Sequence, residues 1–336
     1  MTLTKGSTMT RSTTLRPRLR PALWGSVATG AVLALTLTAC GGPSAPQPGD
    51  ATDDASSSAS STIPDTSALL DAVEVDDSLA SQLPSDIADA GTLSVGSNVQ
   101  SAPNNFYAAD GSTVIGSDHD LITAIGKKLG LEVEYQNQDF GSLITSLQSG
   151  RVDVTIAAMN DTAERQQAID FVDYLTSGIT LMVQKGNPAD ITGPDTLCGK
   201  TIAVVTGTSQ QEFAEATSTQ CESDGEEPLE ITVTDSDAQN QTQLRTGRID
   251  AIVNDLPSAV YISKTAQDGQ AFEVVPGDVI DGAPYGIGVN KDDPELRDAI
   301  AAALDSLIDD GTYGEVLDAW GITSGSVTEA TVNGGK

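Results

Sequence analysis

Histidine, cysteine and basic residues are scarce in this chain of 336 residues, and each shortage excludes a class of function. One histidine, His119, and three cysteines make a poor ligand set for a metal such as zinc. The 17 lysines and arginines are outnumbered by 48 aspartates and glutamates, which gives a net charge of −31. A field of that sign opposes nucleic acid and anionic membrane surfaces. We therefore expect no metal site and no nucleic-acid partner.

The residues of nucleophilic catalysis are missing as well. No Gly-x-Ser-x-Gly elbow occurs, and no histidine is paired with a nucleophile. The segment Gly207-Thr208-Ser209 lacks the glycine spacing and the lysine of a phosphate-binding loop. The sequence accordingly predicts a protein without a cofactor, and it favours a binding function over an enzymatic one.

The N-terminus has the pattern of a secretory signal. Four arginines precede an apolar run over residues 22–39, which ends in Leu37-Thr38-Ala39-Cys40. This order predicts a lipoprotein signal peptide over 1–39, with Cys40 lipidated as the mature N-terminus. The alternative is an uncleaved transmembrane anchor, because the run is nearly long enough to span a bilayer. Threonine and glycine within the run, and its Leu-Thr-Ala-Cys ending, favour the lipoprotein.

Residues 40–65 are rich in Gly, Ser, Ala, Pro, Thr and Asp and have almost no large apolar side chains. Such a composition cannot offset the entropy of ordering, so this segment is predicted to be a flexible tether. With Cys40 assigned to lipidation, Cys198 and Cys221 remain in an oxidising compartment, where a disulfide between them is expected.

An internal echo indicates two similar units. The segment LQSGRVD at 147–153 matches LRTGRID at 244–250, and each combines a helix end, a glycine stop and a strand start. We interpret the arginines and aspartates of both copies as structural parts of the turn. The chain is therefore predicted to be an α/β protein with two lobes of similar architecture.

Three strand-to-helix junctions carry the candidate ligand-binding groups. Asp161 and Glu164 are predicted to form a capping box that leaves Arg165 in an early helical turn, against the macrodipole. Ser209 forms a second predicted box, beside Thr208, and Asp255 follows the strand over 251–254. Ligands of open α/β sheets bind at such strand ends. A cation with free N–H groups suits a carboxylate and an aspartate suits an ammonium, so the set predicts a free α-amino acid as ligand.

The chain over 85–323 resembles the type II periplasmic solute-binding proteins of polar amino-acid ABC transporters, also known as extracellular solute-binding proteins of family 3. The resemblance runs along the whole length, and the matching segments are GSDHDL at 116–121, LITSLQSG at 143–150, TAER at 162–165, GKTIAV at 199–204, VND at 253–255, GTY at 311–313 and WG at 320–321. It implies two Rossmann-like lobes joined by two hinge strands. Lobe I would comprise 85–177 plus 286–325, and lobe II would comprise 178–285.

The resemblance also implies roles for individual residues. The ligand carboxylate would contact Arg165, Ser209 and Thr208, and the ligand ammonium would contact Asp255, Asn160 and Ala158. The remaining pocket wall would consist of Phe140, Asn98, Ser101, Asn104 and Phe106. Asn98 stands where some family members have an acid that meets cationic side chains, which disfavours lysine or arginine as ligand.

The implied protein is a monomeric receptor anchored to the lipid bilayer through Cys40, at the outer face of the cytoplasmic membrane. It would capture an amino acid and deliver it to an ABC permease. The alternative is a dehydratase-like or peptidoglycan-lyase-like enzyme on the same scaffold, which would need a general acid or base in the cleft. Asp255 is the one acid expected there. We further expect Asp118 and Asp120 to act in helix capping, and the tail after Ser324 to be disordered.

Overall fold

A computed structural model describes residues 63–336. The predicted signal peptide, Cys40 and most of the predicted tether lie outside these residues. Within them, no helix combines the length and the apolar character that crossing a membrane requires.

The architecture is built on one ten-stranded sheet with helices on its faces. Its strands are β1 (Thr92–Ser97), β4 (Glu132–Asn137), β5 (Val154–Thr155), β6 (Asp170–Gln184), β7 (Thr201–Val205), β8 (Glu230–Thr234), β9 (Ala251–Asp255), β10 (Phe272–Val274), β11 (Ile280–Val289) and β12 (Ser326–Val332). A separate hairpin is formed by β2 (Phe106–Tyr107) and β3 (Val114–Ile115). The order in the main sheet is β4-β1-β5-β11-β6-β9-β7-β8, and β10 and β12 also pair with β6.

Two parallel groups of strands stand on either side of two long antiparallel strands. β4, β1 and β5 run parallel on one side, and β9, β7 and β8 run parallel on the other. Between them, β6 and β11 pair antiparallel, with Ser177 opposite Ala283 and Leu175 opposite Tyr285. The lobe boundaries that the sequence predicts, 177/178 and 285/286, fall inside these two strands. The α/β class predicted from the sequence is confirmed.

The helices cover each group of strands separately. They are α1 (Ser67–Asp71), α2 (Asp77–Ala80), α3 (Ser85–Ala90), α4 (Ser117–Lys128), α5 (Leu143–Gln148), α6 (Ser209–Asp224), α7 (Asp237–Arg245), α8 (Leu256–Thr265), α9 (Pro294–Asp309) and α10 (Thr312–Trp320). Helices α4, α9 and α10 enclose a core with β1, β5 and the outer part of β11. A different core forms where α6 packs against β7 and β9. Each side of the sheet therefore buries its own set of apolar residues.

The echoed segments occupy equivalent turns, as predicted. The Asp153 carboxylate accepts a hydrogen bond from Ser94 N (2.8 Å), and Asp250 accepts one from Thr201 N (2.9 Å). In both cases the aspartate secures the first residues of the strand beside it. The predicted disulfide is also present, between Cys198 and Cys221.

Two predictions about local structure are wrong. The tail after Ser324 is ordered, because β12 pairs with β6 and the last residues bond to carboxylates beside that strand. Asp118 and Asp120 do not cap α4, which starts after Gly116 without a side-chain cap. Asp120 instead accepts a hydrogen bond from Trp320 Nε1 (2.7 Å), which fastens α4 to α10.

Candidate functional site

A cavity of about 60 Å³ lies between the two sides of the molecule. Its walls come from the segments that follow the carboxyl ends of β1, β5, β7, β8 and β9, where α/β sheets place their ligands. It is lined by Asn98, Gln100, Ser101, Phe140, Ala157, Ala158, Asn160, Val205, Thr208, Ser209, Gln210, Asp237, Val253, Asn254 and Asp255. Eight of the predicted contact residues are therefore brought together around one enclosed space.

Arg165 adjoins this cavity behind two of its lining residues. It is 8% exposed, its guanidinium carbon lies 5.6 Å from the centre of the Phe140 ring, and Nη1 donates to Asn160 O at 2.8 Å. Nη2 donates to Gly207 O at 3.1 Å, on the opposite side of the cleft. Burial lowers the pKa of the guanidinium, although nearby carboxylates oppose the shift. Arg165 therefore carries a buried cation whose present partners are neutral carbonyls.

The predicted capping box around Arg165 is wrong. Arg165–Gln167 form a short 3₁₀ turn without a side-chain cap. The Asp161 carboxylate, which was expected to cap it, accepts hydrogen bonds from Gln166 Nε2 and Gly335 N, at 2.8 Å each. The mismatch between the Arg165 cation and a helix macrodipole that the sequence predicts is therefore absent, because no α-helix begins here.

The start of α6 differs from prediction by one residue. Thr208, not Ser209, is the N-cap, and its Oγ1 accepts a hydrogen bond from Gln211 N at 3.2 Å. The Ser209 hydroxyl is consequently free of the helix, and it donates to Asn160 Oδ1 at 2.7 Å across the cleft. Ser209 and Asn160 can thus exchange this contact for one to a ligand.

Asp255 ends β9 with an unsatisfied acceptor. Its Oδ1 is buried and has no hydrogen-bond partner within the described residues, and the same holds for Gln210 Nε2, which lines the same cavity. Burial raises the pKa of Asp255 to about 7, while Tyr285, Gln210 and the Arg165 cation oppose the shift. A buried acceptor without a partner is costly, so this group is suited to receive a cationic donor from a ligand.

Ala158 is held in an unusual backbone conformation by a buried carboxylate. Its φ of +48° lies in the left-handed region, and its N–H donates to Asp118 Oδ2 at 2.8 Å. Asp118 also accepts from Asn105 Nδ2 (2.9 Å) and Tyr174 OH (2.8 Å), and burial raises its pKa to about 6. Since its N–H is occupied, Ala158 can offer a ligand its carbonyl oxygen.

Asp237 is a lining residue that the sequence analysis missed. It begins α7, and its two carboxylate oxygens accept from Asn254 Nδ2 (3.2 Å) and Gln241 Nε2 (3.1 Å). Burial raises its pKa to about 6. The expectation that Asp255 is the one acid in the pocket is therefore wrong. The signal that could have found Asp237 is its place after β8, which matches that of Thr208 after β7.

Two predicted wall residues do not line the cavity. Asn104 is buried and donates to Ser258 Oγ at 3.3 Å, which connects the loop after β1 to α8. The Phe106 ring packs on Tyr261 and Trp320, with centroid distances of 5.9 Å to each. Both residues therefore contact α8 beside the cavity and do not face into it. Among the described residues, no cluster of three or more His, Cys, Asp or Glu side chains is arranged for a metal ion.

Comparison with known proteins agrees with this architecture. Residues 93–323 match the family profile of the bacterial extracellular solute-binding proteins, family 3. The arginine-binding protein ArgT of Corynebacterium glutamicum is 33% identical over 258 residues, which cover 76% of this chain and 82% of the relative. The L-cystine-binding protein TcyJ of Escherichia coli is 29% identical, with 70% and 84% covered.

Solved structures give the same result. An ancestral arginine-binding protein bound to arginine superposes with a TM-score of 0.63 at 33% identity, covering 68% of this chain and 98% of the other. An ancestral amino acid-binding protein that is a precursor of cyclohexadienyl dehydratase also gives 0.63, at 30% identity, with 70% and 98% covered. The type II periplasmic-binding-protein fold inferred from the sequence is thereby confirmed.

Proposed function

Because the chain belongs to the bacterial extracellular solute-binding proteins of family 3 and is an amino-acid-binding protein of an ABC importer, we propose that its central cavity captures a free α-amino acid between Arg165 and Asp255. The observation that carries this assignment is the pair of buried, oppositely charged groups at one cavity, neither of which has an ionic partner within 4 Å among residues 63–336.

The carboxylate of the ligand would replace the neutral partners of Arg165. The guanidinium can form a bidentate contact, which is stronger than its present bonds to the carbonyls of Asn160 and Gly207 because both partners are then charged. The first N–H groups of α6 and the Ser209 hydroxyl would complete this end of the site, since a helix N-terminus favours an anion.

The ammonium of the ligand would satisfy Asp255. Its Oδ1 lacks a partner, and the Ala158 carbonyl and the Asn160 side chain offer further acceptors at the same cavity. Ionic and hydrogen-bonded contacts at both ends would allow one cavity to bind the α-carboxylate and the α-ammonium that all free amino acids share. The side chain must then be selected by the rest of the wall.

Calorimetric titration of residues 63–336 with the twenty amino acids tests the proposal, with Arg165→Ala as the variant. Removing one partner of a buried, hydrogen-bonded charge pair costs about 2–5 kcal/mol of binding free energy. Arg151→Ala is the matched control, because Arg151 is exposed and lies in a structural turn. If no amino acid binds, or if Arg165→Ala binds as tightly as the parent, the assignment is wrong.

Cellular placement is part of the same proposal. A lipidated Cys40 would keep the receptor at the outer face of the cytoplasmic membrane, and a tether over 40–65 would let it reach the permease. The supporting observation is the Leu-Thr-Ala-Cys ending of the apolar run. Membrane fractionation of cells that express the chain with and without Cys40 tests this part.

An enzymatic role on the same scaffold is the second candidate. Two carboxyl groups with raised pKa values, Asp237 and Asp255, lie at one cavity and meet the requirement for a general acid or base. We favour binding because the relatives named above are binding proteins and because a zwitterionic ligand gives Arg165 and Asp255 their missing partners. Product formation from prephenate-like substrates by the purified protein would decide for the enzyme.

A further inference from the structure

The cavity contains one more negative charge than a neutral amino acid can balance. Arg165, which adjoins the cavity, contributes one positive charge, while Asp237 and Asp255 in its lining contribute two negative ones when both are ionised. Within residues 63–336 none of the three has a partner of opposite charge within 4 Å. Asn98, on the wall that belongs to the other side of the cleft, adds no charge.

A bound zwitterion would leave this imbalance in place. Its carboxylate matches Arg165 and its ammonium matches Asp255, so the Asp237 carboxylate would stay enclosed without a counter-charge. A buried charge without a partner is strongly destabilising, because water no longer solvates it. A ligand with a second cationic group would restore neutrality across the whole cavity.

Asp237 is positioned to receive such a group. Its two oxygens are oriented by the neutral amides of Asn254 and Gln241, at 3.2 Å and 3.1 Å, which leaves the charge uncompensated. It begins the nine-residue helix α7, whose macrodipole favours an anion at that end. The side chain is therefore held as a fixed acceptor and not as a flexible surface acid.

A second buried polar side chain supports a ligand at this place. Gln210 is 6% exposed and lines the same cavity, yet its Nε2 has no hydrogen-bond partner among the described residues. Unsatisfied donors and acceptors at one enclosed space indicate a polar occupant. The Gln210 amide lies near the Asp255 carboxylate, so it indicates a polar occupant at that end of the cavity, and Asp237 adds a negative charge to the same lining.

We infer that Asp237 is a specificity-determining residue that selects an amino acid with a cationic side chain, a guanidinium or an ammonium. This inference rests on the function proposed above, because it takes the α-carboxylate and α-ammonium to occupy Arg165 and Asp255. The negative charge that Asn98 does not provide is supplied by Asp237, on the opposite wall of the cavity.

The test compares L-arginine and L-lysine with L-citrulline, which is a neutral analogue of arginine of nearly the same shape. Titrations are made at pH 7.5 with the parent chain, Asp237→Asn and Asp235→Asn. The parent should bind a cationic ligand at least about tenfold more tightly than citrulline, because a desolvated charge pair raises binding affinity by about that factor or more. Asp237→Asn should remove this preference from both directions: arginine and lysine lose a charge partner and bind more weakly, and citrulline binds more tightly because the closed cavity no longer encloses an unpaired charge.

Asp235→Asn is the matched control. It removes the same charge two residues away at an exposed position, so it should leave every affinity unchanged. The melting temperature of each variant shows whether it is folded, and retained citrulline binding shows that the Arg165 and Asp255 ends are intact.

Two outcomes would overturn the inference and leave the proposed function standing. One is a parent protein that binds citrulline or another neutral amino acid as tightly as arginine and lysine, with Arg165→Ala still abolishing binding. The other is an Asp237→Asn variant that keeps the full preference for the cationic ligands. Absence of binding to any amino acid would instead contradict the proposed function itself.

Discussion

The last four residues of the chain should contribute substantially to stability, although they follow the final strand. Asn333 pairs with β6 through two bonds to the Phe171 backbone, at 3.1 and 2.8 Å. The tail then meets three aspartates: Asn333 Nδ2 donates to Asp170 Oδ1 (3.0 Å), Gly334 N to Asp173 Oδ2 (3.0 Å) and Gly335 N to Asp161 Oδ2 (2.8 Å). A Cβ at Gly335 would collide with the Asp161 carbonyl, so this contact requires glycine.

The magnitude follows from these contacts. Hydrogen bonds to charged groups contribute about 1.5–3 kcal/mol each and neutral ones about 0.5–1.5. Ordering the backbone costs about 1–2 kcal/mol per residue, so part of the gain is offset. Deleting residues 333–336 should therefore lower the free energy of unfolding by about 2–5 kcal/mol. Asp161 and Asp173 would also lose the backbone donors that now satisfy them.

Calorimetry and urea unfolding of the 63–336 protein measure this loss. For a chain of this size the thermal midpoint should fall by roughly 5–15 °C on truncation. Deletion of Lys336 alone is the control, because the bonds described end at Gly335. Gly335→Ala should reproduce most of the loss, whereas Gly314→Ala, at an exposed position in α10 with no atom near its Cβ, should not destabilise. A truncated protein that melts within about 1 °C of the parent would refute the reasoning.

Two pH effects follow from buried carboxyl groups. Burial and the neighbouring Asp161 raise the pKa of Asp173 to about 7, so folding favours the protonated carboxyl. Protonation of Asp173 therefore stabilises the folded state at pH 4, and this contribution is lost as the pH rises through 7. Asp173→Asn should consequently be more stable than the parent at pH 8, by about 1–2 kcal/mol after allowance for solvent screening, but not at pH 4; equal urea midpoints at pH 8 would contradict this. Since burial also raises the pKa of Asp255 to about 7, amino-acid affinity should fall by about tenfold per pH unit below 7, because the ammonium binds the ionised carboxylate. Calorimetry from pH 5 to 8 measures it, and a flat profile would exclude Asp255 as the ammonium partner.

Much of the fold could be predicted because it depends on residues that are close together in the sequence. The α9 helix, for example, runs from Pro294 to Asp309, and both the proline at its start and its amphipathic period are visible in the sequence. The echoed Gly-Arg-x-Asp turns were predictable for the same reason. The ordered tail was not, because its order depends on aspartates more than 150 positions away, and no period within residues 325–336 reveals them.

The place of Asp255 at the end of β9, beside the cavity, could be predicted because one strand end carries one chemical group. Prediction failed where a shift of one residue changes which side chain caps the helix and which one faces the cleft. Placing the cap at Thr208 instead of Ser209 frees the Ser209 hydroxyl to cross the cleft, and capping signals cannot resolve a shift of one position between two hydroxyl residues. Asp237 was missed for a related reason, because an acid at a helix start is ordinarily explained by the macrodipole.

That explanation of Asp237 is incomplete once the cavity is considered. A helix start stabilises an anion in solvent, yet here the anion faces an enclosed space that already contains Asp255. The macrodipole and two neutral amides orient the charge, but they do not cancel it. Closing the cleft around a neutral ligand would enclose that charge, whereas a cationic ligand would replace the solvent that closure removes. In the binding mode proposed above, with the α-carboxylate at Arg165 and the α-ammonium at Asp255, the same closure would make Asp237 discriminate between side chains.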